Sequence, residues 1–142
     1  MPASSSREFL TEHPPPDSAF KQTLAAVAGR VRAGEDVRFA SRELLDEFGL
    51  LPRRDLRARA LHPSPQLTGD DRADAYLGAL AEHLALAAGL QVPSWALEPG
   101  RFLERFWFVS EVPGFRALAL AQSPAAFRRR GIFISEGALR RV

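Results

Sequence analysis

The stretch Thr68-Gly69-Asp70-Asp71-Arg72-Ala73-Asp74-Ala75-Tyr76-Leu77-Gly78-Ala79-Leu80-Ala81-Glu82-His83-Leu84-Ala85-Leu86-Ala87-Ala88-Gly89 sets the architecture of this chain. Ala73, Leu77, Leu80, Ala81, Leu84 and Ala88 recur at three- and four-residue spacing, the period of a helix with one wide apolar face. Asp70 and Asp71 stand at its start, where the helix dipole favours negative charge, and Gly89 ends it. Alanines at 79, 81, 85, 87 and 88 let other helices approach closely. The spacing predicts a central helix from Asp71 to Ala88.

Shorter helices are expected upstream. Asp17 or Ser18 can cap a first one carrying Phe20, Leu24, Val27, Ala28 and Val31, stopped by Gly34. Asp36 caps a second that runs through Phe48 to Gly49. Leu50 to Leu61 reads as a third, mostly exposed because its charges outnumber its apolar positions. Residues 1–16 hold Ser4-Ser5-Ser6 and Pro14-Pro15-Pro16 and read as a flexible lead-in, which leaves 17–142 as one helical domain.

Downstream the segments shorten. Pro93-Ser94-Trp95 is a turn or one helical turn, Pro99 to Phe106 a short helix, and Pro113 starts a helix that Ser123-Pro124 interrupts. Phe127 to Arg130 ends at Gly131. Ile132-Phe133-Ile134 reads as extended and buried, and Ser135 can cap a last turn through Arg141. No strand ladder or internal repeat stands out. The expected class is all-α: a single-domain bundle of about five to seven helices with short irregular C-terminal segments.

Composition narrows the function. At 142 residues the chain can hold one core without staples. It has no cysteine, which excludes disulfides, thiolate metal sites and thiol nucleophiles and makes a cytoplasmic location the simpler expectation. No apolar run reaches the ~18 residues of a membrane helix, and the N-terminus lacks a signal-peptide pattern. The charge is asymmetric. From residue 113 on, six arginines face the single acid Glu136, a balance of +5; the remainder carries 13 basic and 16 acidic residues, a balance of −3. A basic end on an acidic body can meet an acidic protein or a nucleic acid.

The polar residues make no local catalytic or metal pattern. His13, His62 and His83 are far apart in sequence and form no local ligand pair, so no metal or cofactor is expected. Glu82 and His83 are neighbours on a helix and point about 100° apart, which does not suit one reacting atom. His83 falls near the apolar face and reads as a half-buried structural histidine. Asp70, Asp71 and Asp74 read as capping acids. No nucleophile elbow or phosphate loop occurs. An enzyme using Asp70, Asp71, Asp74, Glu82 and His83 through a non-local site stays as a remote alternative; the expectation is no enzyme.

The aromatic residues concentrate near the C-terminus. Trp95, Phe102, Phe106, Trp107, Phe108, Phe115, Phe127 and Phe133 are eight of thirteen aromatics, all within residues 95–133. Phe102, Phe106, Phe115, Phe127, Ile132 and Ile134 are expected in the core. Three consecutive rings at 106–108 fan over about 200° if helical, so either the segment is extended or a ring is exposed. The run Arg128-Arg129-Arg130 is either a solvated helix end or a contact surface. Trp107, Phe108, Arg116, Arg128, Arg129 and Arg130 are therefore the candidate partner-binding residues.

These segments also carry a resemblance. Leu67-Thr68-Gly69-Asp70, Leu80-Ala81-Glu82-His83-Leu84, Pro93-Ser94-Trp95, Arg101-Phe102-Leu103, Phe106-Trp107-Phe108 and Ser123-Pro124-Ala125-Ala126-Phe127-Arg128-Arg129-Arg130-Gly131-Ile132-Phe133-Ile134 resemble a family of small bacterial proteins often encoded beside nucleotidyltransferase-like proteins, as an antitoxin is beside its toxin. The resemblance spans roughly residues 18–142. It implies an antitoxin-like role, binding and neutralising a protein partner of nucleotidyltransferase type, and supplies no catalytic residues. A nucleic-acid-binding regulator using the basic C-terminal segment is the alternative. No membrane partner is expected.

Overall fold

The computed structural model describes residues 23–140 of the chain. The lead-in at 1–16, the expected helix start at Asp17 to Phe20, and Arg141 lie outside them. Within them the chain is all-α apart from one two-residue strand pair.

Helix α1 spans Leu24–Arg32. The Thr23 hydroxyl caps it, accepting from the Ala26 N–H at 3.0 Å. Helix α2 (Val37–Ala40) is capped by Asp36, as expected, but it does not run on to Phe48. Ser41 divides it from α3 (Arg42–Phe48), and the Ser41 hydroxyl donates to the Val37 carbonyl at 2.8 Å. A serine bonding back one turn in this way bends a helix. Helix α4 is Arg54–Leu61, and here too the expectation needs correction. Leu56, Ala60 and Leu61 are buried, so its few apolar positions are enough to dock it despite the charges.

Helix α5 (Asp71–Ala87) is the centre. The Asp70 carboxylate accepts from the Arg72 and Ala73 N–H groups at 3.0 and 3.3 Å, which fixes the first residue. Gly89, at φ 67°, takes the left-handed conformation that stops it. Every residue from Ala73 to Glu82 is buried. This stretch of the helix is thus enclosed on all sides rather than on one face, by α1, α2, α4 and the segments that follow it, while Leu86 near its end stays exposed. Fully buried leucines such as Leu77 and Leu80 each contribute about 1.5–3 kcal/mol.

Two 3₁₀ turns, Ser94–Leu97 and Pro99–Arg101, then pack on α5. Trp95 is buried there, its indole N–H donating to the Leu61 carbonyl at 3.0 Å. Strand β1 (Trp107–Phe108) pairs in parallel with β2 (Ile132–Phe133), Trp107 opposite Ile132 and Phe108 opposite Phe133. A 3₁₀ turn at Pro113–Phe115 and helices α6 (Arg116–Gln122) and α7 (Ala125–Arg128) lie between the strands. Helix α8 (Glu136–Arg140) follows, with the Ser135 hydroxyl accepting from the Ala138 N–H at 3.2 Å.

Ile132-Phe133-Ile134 is extended and buried as its sequence suggests. Phe127, Ile132 and Ile134 are core residues. Phe106 and Phe115 are not, being 75% and 50% exposed, and Phe102 is half-buried. Phe115 enters a helix that buries only Ala119, and Phe106 precedes a strand whose inward position is Trp107. No helix among the described residues is long and apolar enough to cross a membrane.

Candidate partner-binding surface

A polar seam through the core orients the C-terminal half. Asp74, Gly78 and Glu82 follow one another at four-residue spacing and share one face of α5. At one end, the buried Asp74 carboxylate accepts from the Thr68 N–H and hydroxyl, both at 2.8 Å. Arg101, 1% exposed, donates from Nη1 to the Asp74 carbonyl at 3.3 Å and from Nη2 to the Pro65 carbonyl at 2.7 Å. Its guanidinium lies 4.8 Å from the centre of the Trp95 ring.

At the other end stands Arg130, with no exposed surface at all. Its Nη1 donates to Glu82 Oε1 at 3.0 Å and to the Ala126 carbonyl at 2.7 Å, and its Nη2 to the Ala96 carbonyl at 2.7 Å. The Phe102 ring covers it, centred 4.7 Å from the guanidinium carbon. Burial pulls the guanidinium pKa below its ordinary value, and the hydrogen bond and charge of Glu82 oppose that. Gly78 makes room for both arginines. A Cβ there would lie 2.9 Å from Arg101 Cβ and 3.2 Å from Arg130 Nε.

Arg130 is therefore not a surface residue, and it leaves the candidate partner-binding set. With it turned inward, Arg128 and Arg129 turn outward. Arg129 still reaches Glu82 Oε2 at 3.4 Å while half exposed. Arg128 Nη2 donates to the Leu120 carbonyl at 2.8 Å and tethers α7 to α6.

The rings at 106–108 divide by strand alternation. Trp107 turns inward and is partly buried, 6.2 Å from the Tyr76 ring, with the Arg72 guanidinium 5.4 Å over it. Phe106 and Phe108 turn the other way and both meet Phe133, edge-on at 5.4 Å and stacked at 5.0 Å. Arg116, exposed at the start of α6, lies 5.4 Å from the centre of the Phe108 ring. The structure thus gathers Phe108 and Arg116 on one outer face, adds Phe106 to them, and gives Trp107 mainly to the core. Phe106 and Phe108, two residues apart, share a face because the run is extended.

Two grooves border this face. One, of about 570 Å³, runs between α6 and α8 and is lined by Phe115, Leu118, Phe133 and Ile134 together with the polar Gln122 and Glu136. The other, of about 520 Å³, lies between Asp71 and Arg72 on one side and Phe102, Arg105 and Phe106 on the other. Among the described residues, Arg72, Arg105, Arg116 and Arg128 have no carboxylate in ion-pair contact, unlike Arg101, Arg129 and Arg130.

The other polar residues of α5 have structural contacts. Glu82 points to the arginines, whereas His83 is half-buried with its ring edge-on to Phe127 at 6.0 Å. Burial holds the His83 pKa below its ordinary value. Burial also raises that of Tyr76, whose hydroxyl finds no hydrogen-bond partner among the described residues. No group of three or more His, Asp or Glu side chains is placed to hold a metal ion among these residues.

Comparison with protein-family models, with curated proteins and with solved structures gives no match to this chain.

Proposed function

We propose that the chain is an antitoxin-like protein that binds and restrains a second protein, of nucleotidyltransferase type, in the cytoplasm. One observation carries the reading. Phe106 is exposed and Phe108 half-buried, both against the Phe133 ring, and the Arg116 guanidinium over Phe108 has no carboxylate in ion-pair contact among the described residues. Large apolar rings exposed next to arginine are the usual anchors of a protein interface. In this reading Phe106, Phe108 and the half-buried Trp107 edge fill a partner's hollow. Arg116, Arg128 and Arg129 pair with its acids or block its nucleotide site.

Co-expression with the product of the adjacent gene tests it. The two proteins should co-purify, and growth arrested by the partner should recover. Absence of both effects overturns the reading. Retention on DNA that weakens steeply with salt and disappears in Arg128→Ala/Arg129→Ala would assign the same face to nucleic acid instead.

A further inference from the structure

Strand β1 is paired on one side only. Its Trp107 N–H donates to the Gly131 carbonyl at 2.8 Å, and the Val109 N–H just after it to the Phe133 carbonyl at 3.0 Å. Backbone groups alternate sides along a strand, so those of Phe106 and Phe108 face away from β2. No third strand joins this sheet among the described residues. Nor does any N–H or carbonyl of Phe106 or Phe108 have a hydrogen-bond partner there. The far side of β2 is closed, because the Ser123 hydroxyl accepts from the Ile134 N–H at 2.8 Å and donates to the Ile134 carbonyl at 3.2 Å. A row of free N–H and C=O groups is a template for one more strand. A helix has already bonded its backbone groups to one another and supplies none of the missing partners. The occupant is therefore extended chain.

Side chains select its chemistry. Arg72 stands over the Trp107 ring and Arg116 over the Phe108 ring, each at 5.4 Å. Trp107 and Phe108 point to opposite faces of the strand, so one exposed guanidinium flanks the edge on each face. Neither has a carboxylate in ion-pair contact among the described residues. The groove of about 520 Å³ beside the start of β1 is lined by Arg72 and the exposed Phe106, and also by Asp71, Glu104 and Arg105. Those two acids, with Glu111 beyond the other end of β1, repel a long acidic tract and leave room for carboxylates only at Arg72 and Arg116. A second copy of β1 laid antiparallel about Trp107 sets Arg72 against Arg72, and about Phe108 it sets Arg116 against Arg116. Like charges so placed oppose pairing.

We infer that the outer edge of β1 takes up an extended segment of a protein partner, hydrogen-bonded to Phe106 and Phe108, with two adjacent carboxylates directed to Arg72 and Arg116. The carboxylates are neighbours because consecutive residues of a strand point to opposite faces. An apolar side chain beside them lies on Phe106. The inference rests on the proposed partner-binding role and adds the shape and chemistry of what is bound.

The test is selection of displayed random peptides on the immobilised full-length chain. Selected peptides should carry two adjacent Asp or Glu residues next to an apolar one. They are then titrated against Arg72→Glu and Arg116→Glu, both at exposed positions, with circular dichroism to confirm folding. Each variant should weaken binding several-fold. N-methylation of alternate peptide residues should weaken binding about tenfold or more in one set, whose N–H groups face β1, and leave the other set unchanged. If Arg72→Glu fails to fold, Arg116→Glu and the methylated peptides decide. Peptides that are basic, that bind as helices, or that tolerate both methylation sets overturn the inference. So does a wild-type chain that sediments as a dimer and is split by Phe106→Asp. The neighbour's product co-purifying while no acidic extended peptide is selected would sink the edge and leave the antitoxin-like reading standing. Acidic extended peptides selected without any such co-purification would do the reverse.

Discussion

Arg130 and Glu82 meet at 3.0 Å in the core although 48 residues separate them in the chain. The pair fastens the last third of the molecule to the central helix. Both side chains are out of water, and without Arg130 the Glu82 carboxylate keeps only the longer contact to the half-exposed Arg129.

Arg130→Ala is accordingly expected to lose about 3 kcal/mol, the low end of the penalty for breaking a buried pair, because Arg129 still reaches the carboxylate. Arg129→Ala, which removes a half-exposed partner of the same carboxylate, should lose about 1 kcal/mol or less. Urea denaturation of the two single variants checks this. Equal losses would mean that the two arginines share the buried role.

Gly78→Ala sets two effects against each other. Alanine in place of glycine favours a helix by about 1 kcal/mol. The added methyl group would press on Arg101 Cβ at 2.9 Å and on the Ala96 carbonyl at 3.3 Å. Such overpacking costs about 1–3 kcal/mol, so a net loss is expected. A thermal melt at or above the wild-type midpoint would show that the seam can widen freely.

Acid should weaken the fold through His83. Its folded pKa is depressed by burial, so the unfolded chain binds the proton more readily. The stabilising contribution is complete above the ordinary histidine value of about 6.5 and fades as pH falls through the lower folded value. Between pH 7 and pH 5 the melting temperature should drop more for the wild type than for His83→Gln. Parallel profiles would remove His83 as a cause.

The three adjacent rings should separate by assay. Phe106→Ser, at an exposed position, should shift stability by no more than about 0.5 kcal/mol while weakening partner retention. Trp107→Ala opens a gap beside Tyr76 and should lose about 2 kcal/mol in denaturation. Co-purification yield, read beside urea midpoints, distinguishes the two. A Phe106→Ser variant that retains the partner fully would remove that ring from the interface.

How far the sequence reveals this depends on distance along the chain. Helix α5 could be read because its cap at Asp70, its apolar period and its stop at Gly89 are local. The extended, buried Ile132-Phe133-Ile134 was legible for the same reason. Its parallel partner at Trp107–Phe108 was not, since two residues paired across an intervening turn and two helices leave no periodic trace. The burial of Arg130 was hidden likewise, its carboxylate being on another element. A clue did exist in the spacing of Asp74, Gly78 and Glu82. Two acids and a glycine at one-turn intervals in an alanine- and leucine-rich helix mark a face reserved for large cations, which an apolar-period search passes over. On the candidate surface, Phe106 was expected inside on the general tendency of aromatic rings to be buried, which says nothing about the face an extended segment turns to solvent.

The parallel pairing of β1 with β2 has one more consequence. Trp107 N–H to the Gly131 carbonyl at 2.8 Å, and Val109 N–H to the Phe133 carbonyl at 3.0 Å, clasp the two ends of the excursion that carries α6. Inside the clasp, the Ser123 hydroxyl accepts from the Ile134 N–H at 2.8 Å and anchors the far end of α6. Residues 110–122 thereby form a cassette held at its base. The exposed side chains of α6 can be exchanged wholesale without disturbing the central helix, so a new binding preference is accessible to this scaffold by rewriting one short insert.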